Sequence, residues 1–318
     1  MLEMIMGASP GDTSGKLTLL TTTGSNTTDW APSSGVTVID RANKRLVMLS
    51  SLTGAYTVTF NLVTNTWSAQ VANGGYQIYN GTTVLDTPDG KGYIRWGNQY
   101  GVGIAARSMI LSNTGLSTAA GWTNAMSGFS EVLVNGVFYL FGGINGYSVD
   151  GSDTMYVRTY TLASNTVANH GTTNSTIVSA IYNSAVGTDG TNIYVFGGYV
   201  RISGSQTVSY SAYKYNIATK TWSILDTTVP FRMSVSSMTP YYQGKFYFIG
   251  GSPIGDDADN TWVWRYTVAS NTWEKWKRYD EFIGRRFGAV FVYNDLLYYF
   301  CSYNNGANSG DIYTITLK

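Results

Sequence analysis

The stretch KFYFIGG, residues 245–251, returns as VFYLFGG at residues 137–143 and as NIYVFGG at residues 192–198. Each copy is a short apolar run of aromatic and β-branched or other aliphatic residues, the composition of a β-strand. Each ends on paired glycines, which let the chain leave the strand with backbone angles that other residues avoid. A tyrosine-bearing strand follows each copy, then a short Asn/Thr turn and usually a tryptophan. In the last copy this reads WRYTVASNTW, residues 264–273. Recurrence at a near-constant period signals a fold built from stacked supersecondary units.

Working outward, six hairpins are legible, each made of two β-rich runs around a turn signal. They cover residues 36–51, 82–97, 131–143, 184–198, 238–251 and 289–303, and their ends fall about 46 to 55 residues apart. Five of them are followed by a second pair of strands: residues 56–67, 108–122, 156–167, 210–222 and 263–273. Four strands per unit and six units give the arithmetic of a β-propeller. A lone four-stranded sheet cannot cover both its faces, but sheets set radially around an axis cover one another. The third-strand aromatic and the tryptophan seven residues later (Phe60/Trp67, Tyr215/Trp222, Tyr266/Trp273) are expected to fill the wedge between neighbouring sheets.

The last hairpin is followed by one strand only, DIYTITLK, residues 311–318. The run GKLTLLTTT, residues 15–23, precedes the first hairpin and belongs to no unit of its own. It is therefore expected to be the outer strand of the sixth unit, closing the ring and removing an unpaired edge. The expected organisation is an N-terminal tail at 1–14 and a single domain at 15–318. Residues 15–30 are the closing strand and link, and the units span approximately 31–72, 73–125, 126–175, 176–226, 227–278 and 279–318. Trp30 falls in the first link, and the tail is a candidate docking peptide.

Composition agrees with an all-β chain. Among 318 residues are 36 glycines, 25 tyrosines, 12 phenylalanines and 9 tryptophans, and 43% of residues are hydrophobic, enough for a sizeable core. Only 12% are charged and the formal net charge is +1, so no field steers the chain to nucleic acid or to an anionic membrane. The single cysteine, Cys301, excludes an intrachain disulfide and reads as a small buried hydrophobe. MLEMIM at the start lacks the basic region of a secretory leader, and no window approaches the roughly 18 apolar residues of a membrane span.

The double glycine, the spaced aromatic and the tryptophan together resemble the kelch repeat, from about residue 36 to the end. The motif is complete in the fourth and fifth units. The third has Val167 where tryptophan is expected. The first and sixth replace the glycines with Ser50–Ser51 and Cys301–Ser302, and the second has a lone Gly97. The resemblance implies an all-β, six-bladed kelch-like β-propeller closed by N- and C-terminal strands in the last blade. It implies little about activity, since one fold hosts many functions.

In such a meander, first–second and third–fourth turns share one face of the disc. Those turns are short and uniform here: DRANK, VNG, YQGK, YND and the repeated SNT or TNT. The opposite face receives long, dissimilar connections at residues 98–106, 144–154, 199–209, 252–260 and 304–310, which points to recognition there. Its candidate ligand-binding residues are Tyr100, Tyr147, Tyr199, Arg201 and Tyr303, a set of rings and hydrogen-bonding groups suited to sugars. Arg232 and Arg286 lie just before the first strands of their blades. The resemblance puts such arginines near the mouth of the central channel, where they would meet a carboxylate or anionic sugar.

No metal or other cofactor is expected. The weak metal candidates are Asp256, Asp257 and Asp259, with a second acidic loop at residues 150–153, and neither has the spacing of a calcium loop. Enzyme readings fare poorly. His170 is the only histidine and no GxSxG elbow accompanies it. One histidine also cannot supply the copper site of kelch oxidases. Kelch-type sialic-acid epimerases remain the catalytic alternative, although none of the internal glutamates Glu131, Glu274 and Glu281 occupies an obvious channel position.

The expectation is thus a non-catalytic binding module. Its partner would be a host-surface glycan or protein, or a neighbouring virion protein, with no nucleic acid and no membrane insertion. Richness in Ser, Thr, Asn, Gly and Tyr with little charge resembles bacteriophage fibre-associated proteins and adhesins. The corresponding location is the virion or an extracellular surface, reached without a cleaved signal peptide. The alternatives are a purely structural virion protein or a cytoplasmic scaffold.

Overall fold

The computed structural model describes residues 14–21, 36–50, 56–69, 71–72, 83–85, 87, 90–94, 97–99, 103–105, 109–112, 115–118, 129–142, 156–164, 166–172, 181–202, 205–232, 237–249, 261–282, 285–286, 289–300, 303–304, 307–308 and 311–318. Among them the helical residues are the 3-10 turn Asp280–Phe282 and Thr261, and the rest is mostly strand and turn. Four antiparallel strands make each blade except the second, whose described sheet has three. The third blade is the plainest, running Ser130–Val134, Val137–Phe141, Tyr156–Thr161 and Thr166–Thr172 in spatial as well as chain order. The fourth blade places Ala185–Thr188, Asn192–Phe196, Ser211–Asn216 and Thr221–Thr228 in the same way.

Innermost strands of adjacent blades lie side by side and parallel. Val36–Asp40 pairs with Thr83–Leu85, and Ala185–Thr188 with Ser237–Met238. The strands Thr83–Leu85, Ser130–Val134, Ser237–Met238 and Ala289–Tyr293 approach one another across the centre. The first strands thus gather around a common centre, consistent with a ring of six blades. Leu17–Thr21 pairs with Ile312–Thr316, in register from Leu17↔Ile315 to Leu19↔Tyr313, the pairing that the sequence implies for a closing strand. The Gly15 N–H donates to the Thr316 carbonyl at 2.6 Å, and the Tyr279 hydroxyl donates to the Gly15 carbonyl at 2.5 Å.

The core consists of the seams between blades, and one device recurs in three of them. The tryptophan of one blade stands edge-on to the phenylalanine that ends the second strand of the blade before it. The pairs are Trp67–Phe300 at 5.8 Å, Trp222–Phe141 at 5.3 Å and Trp273–Phe196 at 5.5 Å between ring centroids. Each tryptophan also packs at 4.9 to 5.1 Å on its cross-strand aromatic, Phe60, Tyr215 or Tyr266. Such tilted pairs contribute about 0.5–1.5 kcal/mol each beyond their buried area. At the fifth–sixth seam the equivalent positions are aliphatic: Ile249, Ile315 and Leu17. The closing strand thus fills its wedge without a tryptophan.

The glycine pairs do what their sequence implies wherever they are described. Gly142 has φ +63°, and Gly197 and Gly198 have φ +61° and +95°. A Cβ on Gly142 would collide with the backbone carbonyl oxygen of Ile181, which links the third blade to the fourth. Gly142→Ala is therefore expected to cost about 3 kcal/mol, from strain plus overpacking. Gly136→Ala is the control: its φ is +77° but its Cβ would meet open space. It should cost about 1 kcal/mol. Thermal unfolding of both variants checks the difference.

A second comparison between blades isolates one hydroxyl. In the fifth blade the Tyr266 hydroxyl donates to Asn271 Oδ1 at 2.6 Å. The residue equivalent to Asn271 in the fourth blade is Lys220, also at positive φ, and the buried Tyr215 hydroxyl has no hydrogen-bond partner among the described residues. Burial pushes the Tyr215 hydroxyl up to about 12. Leaving a buried donor unsatisfied costs about 1–3 kcal/mol. Tyr215→Phe is accordingly expected to hold or raise the melting temperature, whereas Tyr266→Phe lowers stability by about 1 kcal/mol. Calorimetry on the two variants reads opposite signs, and equal losses would refute the assignment.

Candidate functional site

The two faces of the disc are built differently. On one, the first–second hairpins turn through pairs of residues that both have positive φ: Asn135–Gly136, Gln243–Gly244 and Asn294–Asp295. This is the tight turn whose twist suits a hairpin. The third–fourth turns on the same face repeat a hydroxyl pair at 2.6 to 2.7 Å: Thr64/Thr66, Ser164/Thr166, Thr219/Thr221 and Ser270/Thr272. In the fourth blade Asp189 organises its turn by accepting from the N–H groups of Asn192 and Thr191 and from the Tyr194 hydroxyl. Burial alone would raise its carboxyl. The N–H groups of Asn192 and Thr191, the Asn192 amide and the Tyr194 hydroxyl outweigh that and hold it below the usual range. Its contribution to stability is present above the unfolded carboxylate's pKa and is lost as pH falls through the lowered one.

On the other face, three of the long connections are not irregular loops but β-ribbons. In the second blade Gly97–Gln99 pairs with Gly103–Ala105. In the fourth, Tyr199–Ile202 pairs with Ser205–Val208 on one side and with Ile181–Tyr182 of the incoming link on the other. The sixth repeats this plan with Tyr303–Asn304, Ala307–Asn308 and Arg285–Arg286. The sequence reading missed the ribbons, although YVRI-SG-SQTV carries the signal of two short strands around a two-residue Ser-Gly turn.

The ribbons bring several sequence-predicted residues together. Arg286 is the cross-strand partner of Tyr303, and Arg201 lies opposite Gln206. Arg232, from the link between the fourth and fifth blades, donates from Nη2 to the Tyr199 hydroxyl at 3.3 Å, and its guanidinium lies 5.6 Å from that ring's centroid. Tyr199 also stacks on Tyr182 at 5.6 Å and is only 5% exposed. It therefore offers no open aromatic face. Its ring ties the ribbon to the two links that flank it. Tyr100, Tyr147, Cys301, Trp30, residues 1–13, the acidic loop 150–153 and the trio Asp256, Asp257 and Asp259 lie outside the described residues.

The catalytic alternatives find the following surroundings. His170 sits on the outer strand of the third blade, its Nε2 2.8 Å from Thr159 Oγ1. Burial and then the charge of Lys220 lower its pKa, so it is neutral near pH 7. Glu274 is on the outer strand of the fifth blade and accepts from Arg265 Nε at 2.8 Å and Lys245 Nζ at 3.3 Å. Glu281 is exposed in the 3-10 turn between the fifth and sixth blades. Glu131 stands on the first strand of the third blade and is 6% exposed. A first-strand glutamate was legible from its place in EVLVNGVFYLF, but its burial was not. Among the described residues no three His, Cys, Asp or Glu side chains group as metal ligands, and no helix is long and apolar enough to cross a membrane.

Radial four-stranded blades, tryptophan wedges and glycine-ended second strands define a kelch-type propeller. A family model for the KLHDC2/KLHL20/DRC7 Kelch-repeats domain matches residues 128–318, and the chain belongs to the kelch-repeat family. The solved structure of YjhT is similar in fold, with a TM-score of 0.67 over 89% of this chain and 94% of that one, at 16% sequence identity. No curated protein matches the sequence.

Proposed function

We propose that the chain is a non-catalytic binding module that meets its partner through the ribbon face. The observation that carries this is the asymmetry of the disc. One face is finished with short, internally hydrogen-bonded turns, while the other extends the second strands outward as ribbons braced against the links. Rigid supports under variable connections are how binding residues are commonly held. The contact set is Arg201, Arg286 and Tyr303 on the ribbons, with Tyr100 and Tyr147 on neighbouring connections. Arg232 and Tyr199 act as a brace at its edge.

With so little net charge, recognition rests on hydrogen bonds and shape rather than on long-range attraction. The partner is a surface glycan or protein, or a neighbouring virion protein, and the setting is a virion or extracellular surface. A combined screen on glycan arrays and on extracts of candidate host surfaces tests this. Binding should fall at least about tenfold in an Arg286→Ala/Tyr303→Ala variant. Binding that maps to the tight-turn face, or sialic-acid mutarotation by the purified chain, would overturn it.

A further inference from the structure

We propose that the outer strand of the fourth-blade ribbon, Ser205–Val208, accepts an extended polypeptide segment as an added antiparallel strand. This rests on the ribbon face being the binding face, and it names the class of partner. In the three-stranded sheet of that ribbon, Ser205–Val208 is an end strand: it pairs with Tyr199–Ile202 and with no other described strand.

Which of its backbone groups face outward follows from the ladder. Ser209 N–H donates to the Gly198 carbonyl at 2.8 Å, so Gly198 and Ser209 form a hydrogen-bonded pair. Antiparallel pairs alternate between bonded and non-bonded. Val200/Thr207 and Ile202/Ser205 are therefore bonded pairs, and the N–H and C=O groups of Gln206 and Val208 point away from the ribbon. Two outward donor–acceptor sets, two residues apart, match the main-chain spacing of an extended strand.

Three further features favour this occupant. The sequence SQTV carries neither charge nor proline, two of the usual devices that protect an edge. The inner strand of the ribbon is anchored on its far side by Ile181–Tyr182, so the edge is presented on a held support. The ring that the sequence offered for sugar stacking, Tyr199, is buried against Tyr182 and Arg232, which leaves main chain rather than aromatic surface as the chief contact of this ribbon.

The test pans the full chain against a yeast-displayed library of peptides about ten residues long, enough to run past both ends of the four-residue edge strand. The best synthetic binder is then measured by calorimetry. Val208→Pro removes one outward N–H without breaking a ribbon bond. It is expected to weaken binding at least about tenfold while the melting temperature stays that of the parent. Gln206→Pro serves the same purpose should Val208→Pro fail to fold. Methylating alternate backbone amides of the peptide is expected to abolish binding, whereas methylating the intervening ones leaves it.

A peptide or protein partner that binds the parent and both proline variants equally, or that ignores amide methylation, overturns the added-strand inference. Binding to glycans alone also overturns it and leaves the proposed function standing. Failure to bind peptides, proteins and glycans alike removes both.

Discussion

Removing residues 1–21 should abolish the cooperative unfolding transition. The deletion takes away the outer strand of the sixth blade and with it the ladder from Leu17↔Ile315 to Leu19↔Tyr313. It also removes the carbonyl of Gly15, to which the buried Tyr279 hydroxyl donates, and the aliphatic contact of Leu17 at the fifth–sixth seam. The loss has three parts: a buried donor left unsatisfied, apolar surface of Ile315 and its neighbours exposed, and a new unpaired edge along Ile312–Thr316. A typical domain is stable by only about 5–15 kcal/mol, so losses of this kind together suffice to melt the sixth blade and loosen both its neighbours. Differential scanning calorimetry should show a broad or absent transition. A synthetic peptide covering residues 14–23, added in trans, should restore part of it. A truncated chain that melts at the parent temperature would show that the ring does not depend on this strand.

The second large effect belongs to Trp273. Its ring lies 5.0 to 5.6 Å from Phe248, Tyr266, Phe196 and Phe231, contributed by two blades and the link between them. Trp273→Ala would leave a cavity among four aromatic rings that cannot all close over it. The expected cost is about 3–5 kcal/mol. Val167 occupies the same repeat position in the third blade but is 39% exposed. Val167→Ala should change stability by less than about 0.5 kcal/mol. Chemical denaturation of the two variants compares one repeat position in two settings. Equal losses would mean that the tryptophan is not what locks the seam.

The parts of the fold that were legible in the sequence are those made by local rules repeated often enough to average out noise. Second strands ending on glycine, the aromatic–tryptophan spacing and the turn asparagines each encode one contact with the adjoining blade, so one unit explains the next. The closing strand was legible by counting, because the sixth unit lacked one strand and residues 15–23 had no other place. The site was less legible, since it depends on contacts between segments that carry no repeat. Tyr199 looks like any exposed loop tyrosine until Tyr182 and Arg232 come against it from separate links. Glu131 looks like a polar residue at a strand start until packing buries it. The ribbons were read as loops because polar residues obscure the alternation in strands of two to four residues.

The sixth blade also bears on how the protein is made. Leu17 finds Ile315 across nearly the whole length of the chain. During vectorial synthesis, five finished blades would therefore emerge while LTLLT, the strand that completes the last, has nothing to pair with. The nascent chain carries an uncharged, leucine-rich strand edge until the ribosome has passed the codons of residues 312–316, the kind of segment that strays into wrong pairings in the meantime. Slowing elongation within residues 296–316 should lengthen that exposure and lower the yield of soluble protein, whereas the same pause placed inside the third blade should not.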